Sequence, residues 1–425
     1  MKSLTVWILQ TGEPLHIDKG NPRPMRAMNL ANVLVNKGHK VIIWSSAFYH
    51  TEKRQRSLEY VSINVSLSLE IRLIPSPGYK HHIGVSRLWD HFIIANNLKK
   101  ILYHESSAPD VAFIGYPPIE VAAVMVSWLA EQKVPCILDI KDQWPNIFVD
   151  AFPKSIRFLG RIGSAPYYHT AKYAMREATC LSAMADSFLS WALDFSGRQR
   201  NAKDRVFPLT SPDDKVTFEE LEDANLWLNK KGIINNGKPR LCFIGTHSRA
   251  FDFNPVLEAA QYFADEENPC EFVICGDGEC SPIWRKMMKN LPNVIFTGWV
   301  NQSQIKALTS ISLGAIAPYK CTDDFVMSIP NKIIDALCVG IPVITPLTGE
   351  VAKLIDQYNI GLRYDTDSGK TLIQCIEILI SKPVQSQIMS NNALKLYKDT
   401  FSFNKVYGEL VKHLEILSQL NIVDY

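Results

Sequence analysis

The chain has 425 residues, of which 47% are hydrophobic, and a formal net charge of +2, so it has material for two or three packed domains. A nearly neutral chain gives no general signal for nucleic acid or another polyanion as a partner. The nine cysteines form no C-x-x-C pair, which favours reduced thiols in a cytosolic protein, and no run of ~18 apolar residues predicts a membrane-spanning helix.

The first half of the chain predicts one doubly wound α/β domain, residues 1–210. Buried apolar runs alternate with amphipathic segments, and the first strand, helix and second strand form a βαβ unit. Such a unit implies a parallel sheet, which binds ligands at the carboxyl ends of its strands. The predicted strands are 4–9, 40–45, 110–116, 136–141, 178–183 and 205–209, and the first helix is 25–37.

The loop after the first strand is therefore a candidate ligand-binding loop. It contains Gly20, and Arg23 and Arg26 lie near the start of the helix that follows. A guanidinium group is well suited to an anion. We expect at least one of the two arginines to bind an anionic group. The alternative, to which we give equal weight, is that both are solvated.

Asp142 directly follows the predicted strand 136–141 and is itself followed by Gln143-Trp144-Pro145. A carboxylate at the carboxyl end of a parallel strand is placed for chemistry rather than for packing. The alternative is a turn cap, because aspartate side chains often bond to the nearby backbone.

Two segments of this half, 79–104 and 152–173, combine basic and aromatic residues. Such amphipathic segments suit the surface of an anionic membrane. The alternative is a pair of core-facing helices with solvated backs. The residues concerned are Arg87, Lys99 and Lys100 with Trp89 and Phe92, and Lys154, Arg157 and Arg161 with Phe158, Leu159 and Ile162.

The second half predicts another domain of the same class. Residues 211–239 form a connecting segment with a charged helix and a turn-rich stretch, and strands and helices alternate regularly over 240–400. An amphipathic helix at 403–417 ends the pattern.

The stretch 328–347 predicts a short helix at 330–339, closed by Gly340, and a buried strand at 342–346. One helix face is apolar, and the other carries Asn331, Lys332 and Asp335. A helix N-terminus can hold a phosphate, to which Lys332 adds a charge, and Asp335 can accept hydrogen bonds from ribose hydroxyls. The pattern indicates a nucleotide site; the alternative is an ordinary amphipathic helix.

The run PNKIIDALCVGIPVIT resembles the donor-site signature of retaining GT-B glycosyltransferases, glycosyltransferase family four, of the type that builds bacterial surface polysaccharides. Asp335 occupies the position of the family's ribose-binding Glu, whereas Met327 replaces an earlier Glu. Three further segments resemble motifs of this family: Gly38-His39-Lys40-Val41, Asp142-Gln143-Trp144-Pro145 and Gly276-Asp277-Gly278. The resemblance implies a GT-B fold: two Rossmann-like, doubly wound domains that face each other across a crevice, with a C-terminal helix at 401–425 packing back on the first.

The resemblance also implies the site residues. The family's two diphosphate-binding cations are absent, since Thr246 and Phe251 occupy their positions, so Arg249 and Lys332 are expected to replace them. With Asp142 these two form the expected catalytic set, and no metal and no cofactor are expected. The implied donor-binding residues are Gly245, Thr246, Arg249, Gly276, Val300, Ser328, Ile329, Asn331, Lys332 and Asp335.

The function that this resemblance implies is transfer of a hexosyl or N-acetylhexosaminyl unit, with retention, from a nucleotide diphospho-sugar, most simply a UDP-sugar. The implied acceptor is a saccharide on polyprenyl diphosphate, in O-antigen or capsule biosynthesis. The protein would lie in the cytoplasm, in peripheral contact with the anionic inner face of the cytoplasmic membrane. The alternatives are a nucleotide-sugar 2-epimerase-like enzyme on the same fold and a non-catalytic GT-B-like partner in a glycan assembly complex.

Overall fold

The computed structural model describes residues 2–20, 22–80, 84–146, 158, 163–210, 216–265 and 270–420. The chain divides into two compact units, each with its own sheet. The N-terminal unit comprises Met1–Ser211 and Asn404–Tyr425, and the C-terminal unit comprises Pro212–Phe403.

The strands of the N-terminal unit form one eight-stranded sheet and a separate small hairpin. In chain order they are β1 (Thr5–Leu9), β2 (Lys40–Ser46), β3 (Phe48–Tyr49), β4 (Arg54–Gln55), β5 (Val61–Ser66), β6 (Leu69–Ile74), β7 (Val111–Tyr116), β8 (Cys136–Ile140), β9 (Cys180–Ala183) and β10 (Arg205–Val206). The sheet order is β10-β9-β8-β7-β1-β2-β6-β5, and β3 pairs with β4 in the hairpin. Neighbouring strands of the large sheet are parallel, except that β5 runs antiparallel to β6.

Helices cover this sheet because its central strands are buried along their whole length, as is usual for parallel strands. They are α1 (Arg26–Asn36), α2 (Val85–Tyr103), α3 (Ile119–Glu131), α4 (Ala165–Glu177), α5 (Asp186–Ser196) and, from the end of the chain, Phe403–Leu417. The last of these contacts the N-terminal unit through His413, whose ring lies 5.8 Å from that of Phe207, and through Glu415, whose carboxylate lies 3.1 Å from His39 Nε2.

The C-terminal unit has a six-stranded sheet in which neighbouring strands are parallel. Its strands are β11 (Arg240–Ile244), β12 (Glu271–Cys275), β13 (Val294–Gly298), β14 (Gly314–Ile316), β15 (Val343–Thr345) and β16 (Gly361–Arg363). Their order is β13-β12-β11-β14-β15-β16, so the chain turns back at β11 as in a doubly wound fold.

The helices of this unit alternate with its strands. They are α6 (Phe218–Lys230), α7 (Asn254–Ala264), α8 (Ser281–Met287), α9 (Gln302–Ser310), α10 (Asp323–Val326), α11 (Asn331–Val339), α12 (Glu350–Tyr358), α13 (Gly369–Ser381) and α14 (Pro383–Leu396), with a π-helical turn at Tyr397–Phe401; the terminal helix Phe403–Leu417 is α15. Capping boxes at Thr217 and Asn301 fix the starts of α6 and α9. Helix α6, from the predicted connecting segment, packs against α9.

The prediction of two doubly wound α/β domains is confirmed. The predicted helix 403–417 coincides with α15, and α11 begins one residue later than predicted, with Pro330 as its N-cap residue. The predicted strand 205–209 is shorter, because Pro208 has no N–H group with which to extend the ladder. The strands β3 to β6 lie in a stretch for which no element was predicted.

Arg26 lies inside the N-terminal unit, and this corrects its prediction as an anion-binding residue. Its Nη2 donates to Asp139 Oδ1 at 2.9 Å, its Nε lies 2.8 Å from Oδ2, and Nη1 donates to the carbonyl of Phe207 at 3.0 Å. Ser182 donates to the same carboxylate at 2.6 Å. Both charges are almost fully buried, so this pair ties α1 to β8 rather than binding a ligand.

Within the described residues, no helix combines the length and the apolar character that crossing a membrane requires.

Candidate functional site

Two glycine turns meet at the carboxyl edge of the C-terminal sheet. Gly245 follows β11, and Gly276 follows β12 with a φ of +114°. A Cβ atom at Gly276 would lie 2.0 Å from the carbonyl oxygen of Gly245, so the two backbones touch and only glycine fits there. Gly276 N–H donates to the Gly298 carbonyl at 2.7 Å, which adds the turn after β13 to the same edge. The three turns bring backbone together where a parallel sheet binds its ligands.

Lys332 extends from the first turn of α11 to this edge. Its Nζ donates to the carbonyl of Ile244 at 2.5 Å and lies 4.8 Å and 5.2 Å from the ring centres of Phe243 and Phe251. A Cβ atom at Gly245 would lie 1.5 Å from this Nζ. The ammonium group is therefore packed against Gly245, and a full positive charge lies beside the glycine turns.

Arg249 belongs to the same turn but lies at its surface. Its side chain is 84% exposed and approaches Glu279 at 3.5 Å, in the loop that contains Gly276. An exposed ion pair of this length contributes little to stability, so the guanidinium can be redirected to a ligand at small cost.

The helix α11 separates its two faces as the sequence predicts. Ile333, Ile334 and Leu337 are buried, whereas Asn331 and Asp335 are exposed. Gly340 ends the helix with a φ of 71°. Burial and the nearby charge of Asp335 raise the pKa of Tyr319, which places that tyrosine and the carboxylate in the same electrostatic neighbourhood.

The remaining predicted donor residues differ in their accessibility. Thr246 is exposed in the glycine turn, and Val300 is half-buried after β13. Ser328 and Ile329 are buried just before α11 and form part of the packing under the helix start.

His247 is a member of this site that the sequence did not predict. It is fully buried, and its Nδ1 lies 2.8 Å from Ser281 Oγ. Its backbone N–H donates to the Asp277 carbonyl at 2.9 Å. Burial is the main cause that lowers the pKa of His247. The centre of the neutral ring lies 4.6 Å from that of Trp284. His247 therefore connects the turn after β11 to the turn after β12. The sequence signal that could have indicated this residue is a histidine two residues after Gly245, the glycine that follows β11.

In the N-terminal unit, Asp142 lies two residues beyond β8 and is half-buried. Burial, then the charges of Glu120 and Asp142, raise the pKa of Tyr116 well above its usual range. The Tyr116 hydroxyl donates to the Trp144 carbonyl at 2.6 Å and so holds the turn that carries Asp142.

A second acidic group, Glu13, lies at the same edge of this sheet. It accepts from Ala27 N–H at 2.8 Å and from Gln10 Nε2 at 2.9 Å, and it is ion-paired with Lys141. The sequence did not predict this group. Of the predicted loop residues, Gly20 and Arg23 are exposed.

Neither unit presents a metal-binding cluster of three or more His, Cys, Asp or Glu side chains within the described residues. Asp323 is exposed and Asp324 is half-buried in the short helix α10.

Residues 238–382 match a family model described as "Glycosyl transferases group 1". Among curated proteins, no sequence matches the chain significantly. The family-model match covers the glycine turns, Lys332 and Asp335, that is, the whole candidate site of the C-terminal unit.

Several solved structures are similar over nearly the whole chain. Sucrose-phosphate synthase from Thermosynechococcus elongatus is 13% identical with a TM-score of 0.69, over 97% of this chain and 98% of that one. A glycosyltransferase from Rickettsia africae is 14% identical with a TM-score of 0.63, over 99% and 100%. Anabaena HepE in complex with UDP and glucose is 12% identical with a TM-score of 0.63, over 97% and 100%. These likenesses show a GT-B fold with two Rossmann-like domains, and together with the matched family model they support a glycosyltransferase.

Proposed function

We propose that the protein is a retaining glycosyltransferase that uses a UDP-sugar as donor and a saccharide on polyprenyl diphosphate as acceptor, in the synthesis of a bacterial surface polysaccharide. The observation that carries the proposal is the ammonium group of Lys332 packed against Gly245 at the carboxyl edge of the sheet. This edge lies within the segment that matches the glycosyltransferase family model. Similar folds have been crystallised with UDP and with UDP-glucose.

The main chemical task in this reaction is to stabilise the diphosphate that leaves the sugar. Groups placed in advance where charge develops give the largest effect in such a step. Lys332 offers a fixed positive charge, and Arg249 offers a second one that can turn from Glu279 toward the diphosphate. The exposed carboxylate of Asp335, one helical turn from Lys332, is suited to the ribose hydroxyls.

The acceptor side of the proposal rests on Asp142. Its carboxylate lies beyond the end of β8 in a turn that Tyr116 holds, and we assign it the orientation of the acceptor hydroxyl or assistance in its deprotonation.

Replacement of Lys332 by methionine tests the donor site. Methionine keeps an apolar stem over the rings of Phe243 and Phe251, so the main change is the loss of charge. Losing a charged hydrogen bond costs about 1.5–3 kcal/mol, and we therefore expect UDP to bind about ten- to a hundredfold more weakly. Titration calorimetry with UDP measures this affinity.

The matched control for this test is Lys306→Met, because Lys306 is exposed on α9. We expect UDP to bind this variant as it binds the wild type. If Lys332→Met also kept wild-type affinity, Lys332 would only pack against its two aromatic rings, and the donor-site assignment would be wrong.

Contact with a membrane surface is supported by one face of α2. Trp89 and Phe92 are 56% and 48% exposed, and their ring centres are 5.7 Å apart. Lys99 and Lys100 are exposed farther along the helix. In the second predicted basic segment, Phe158 is exposed, whereas Lys154, Arg157, Arg161, Leu159 and Ile162 lie outside the described residues.

We expect the protein to sediment with anionic liposomes at low salt and to be released at about 0.5 M salt, because screening shortens the reach of surface charge. Each lysine near anionic lipid contributes ~1 kcal/mol, so the double change Lys99→Glu and Lys100→Glu should reduce sedimentation strongly. The control is Lys37→Glu with Lys40→Glu, two exposed lysines around β2. If both double variants sedimented equally, the assignment of α2 to the membrane contact would be wrong.

A further inference from the structure

A cluster of basic side chains surrounds Tyr79 in the N-terminal unit. Two of them, His50 and Lys53, come from the turn between β3 and β4, and Arg87 and His91 come from the first two turns of α2. We call these four residues the Tyr79 cluster. The sequence pattern predicts a membrane contact for Arg87 and no role for the other three residues.

The ring of Tyr79 is the centre of this cluster. Lys53 Nζ lies 4.4 Å from the ring centre and Arg87 Cζ lies 5.7 Å from it. The rings of His50 and His91 lie at 5.6 Å and 6.5 Å. A short hydrogen bond joins His50 Nδ1 to the Tyr79 hydroxyl. The side chains thus bring two full charges, two imidazoles and a phenol to one place.

One carboxylate among the described residues faces this concentration of positive charge. Asp90 accepts from Gly78 N–H at 2.7 Å and from the Ser76 hydroxyl. Burial, then the neighbouring charge of Arg87, lower the pKa of Lys53. With Lys53 and Arg87 against Asp90, the cluster keeps an excess positive charge, and an incoming anion would relieve the repulsion.

Two further features of the cluster carry a cost in free energy. Lys53 has a φ of 53°, in the left-handed region where glycine and asparagine are preferred. His91 is only 4% exposed, and its Nδ1 has no hydrogen-bond partner among the residues that the structure describes. Burial is the largest cause that lowers the pKa of His91 to about 3, so the ring is neutral, and in the tautomer protonated at Nδ1 it can donate to an anion.

The cluster is joined to the turn that carries Asp142. Arg87 Cζ lies 4.8 Å from the ring centre of Trp144, and the His91 ring lies 5.5 Å from the same indole. Trp144 is two residues after Asp142 in the sequence. An anion held by the cluster would therefore lie next to the turn that carries the carboxylate to which the acceptor side of the reaction is assigned.

We propose that the Tyr79 cluster binds a diphosphate group, and that this group is the diphosphate through which the acceptor saccharide is joined to its lipid. The second half of this statement rests on the proposed function. Lysine, arginine, a phenol and imidazoles are all hydrogen-bond donors to phosphate oxygens, and they approach from three segments of the chain: the turn between β3 and β4, Tyr79, and the start of α2. The site would position the acceptor by its anionic group and leave the terminal sugar free to react.

The test uses inorganic pyrophosphate, titrated by calorimetry into the full-length protein already saturated with UDP, so that the donor site is filled. We expect one remaining pyrophosphate site. Lys53→Asn removes the charge and places at φ 53° a residue that tolerates this conformation, so the fold should be kept. We expect this variant to bind pyrophosphate about ten- to a hundredfold more weakly and to melt at the wild-type temperature or above it.

Two more variants complete the design. Arg87→Gln should also weaken pyrophosphate binding about tenfold or more, whereas Lys40→Gln, the same change of charge at an exposed lysine at the start of β2, should leave it unchanged. Farnesyl diphosphate distinguishes the two sources of the ligand: if the lipid-linked diphosphate is the natural one, it should compete with pyrophosphate in the wild type but bind no more than weakly to Lys53→Asn.

The proposal is overturned if the UDP-saturated wild type binds no pyrophosphate, or if Lys53→Asn binds it with wild-type affinity. Binding of pyrophosphate but not of farnesyl diphosphate would overturn the assignment to a lipid-linked acceptor. Failure of the proposed function gives a different result, since UDP itself would then not bind, while the dependence of pyrophosphate binding on Lys53 would persist.

Discussion

Replacing Asp142 with asparagine should lower the rate of sugar transfer about 100-fold or more, the range expected when a general acid or base is removed. Asparagine keeps the size of the side chain and its hydrogen-bonding ability but cannot take up a proton. UDP affinity should not change, because Asp142 belongs to the N-terminal unit and the candidate donor residues belong to the other. The measurement is transfer from a UDP-sugar to the authentic acceptor, with UDP affinity determined in parallel.

Asp194→Asn is the control for this experiment, since Asp194 is an exposed aspartate on α5. We expect it to retain wild-type transfer. Full activity of Asp142→Asn would mean that Asp142 only caps its turn.

The second large effect concerns stability. Asp139→Asn leaves the guanidinium of Arg26 buried without a counter-charge, and breaking a buried ion pair in this way costs about 3–5 kcal/mol. We expect a loss of this size in the free energy of unfolding of the N-terminal unit. Native-state hydrogen exchange of the amides in β8 and α1 measures it for that unit alone, which matters in a chain of two units.

An exposed ion pair in the same unit provides the comparison. Asp186 and Arg200 lie 2.9 Å apart with side chains that are 61% and 48% exposed. The same aspartate-to-asparagine change at Asp186 should have little effect, because solvent screens exposed pairs. Equal losses at positions 139 and 186 would contradict the structural role given to Arg26.

The sequence predicted the elements whose side-chain pattern has a single explanation. The continuous apolar runs of β1, β7 and β8 fit only buried strands, and α15 was predicted to the residue because its apolar positions repeat with the helical period. The strand β5 gave no such signal: most of its residues are exposed, and it is held by pairing with β6 at the edge of the sheet.

The site could be predicted less far than the fold, because its contacts join distant parts of the chain. Lys332 could be placed on a polar helix face, but its bond to Ile244 spans 88 residues. Arg26 has the appearance of a surface residue after a loop, and only Asp139, 113 residues away, makes it an interior one. Spacing along the chain shows which residues share a face, and it does not show which faces meet.

The return of α15 to the N-terminal unit has a consequence for synthesis on the ribosome. His413 Nε2 lies 3.8 Å from Cys180 Sγ, so the last helix closes a core that the first half of the chain has already formed. Residues 212–403 emerge in between and can fold before that core is covered. The apolar surface beneath α15 therefore stays open for the time that about half the chain takes to be translated. Since exposed apolar surface favours aggregation of nascent chains, this interval is where a chaperone would have the most to protect.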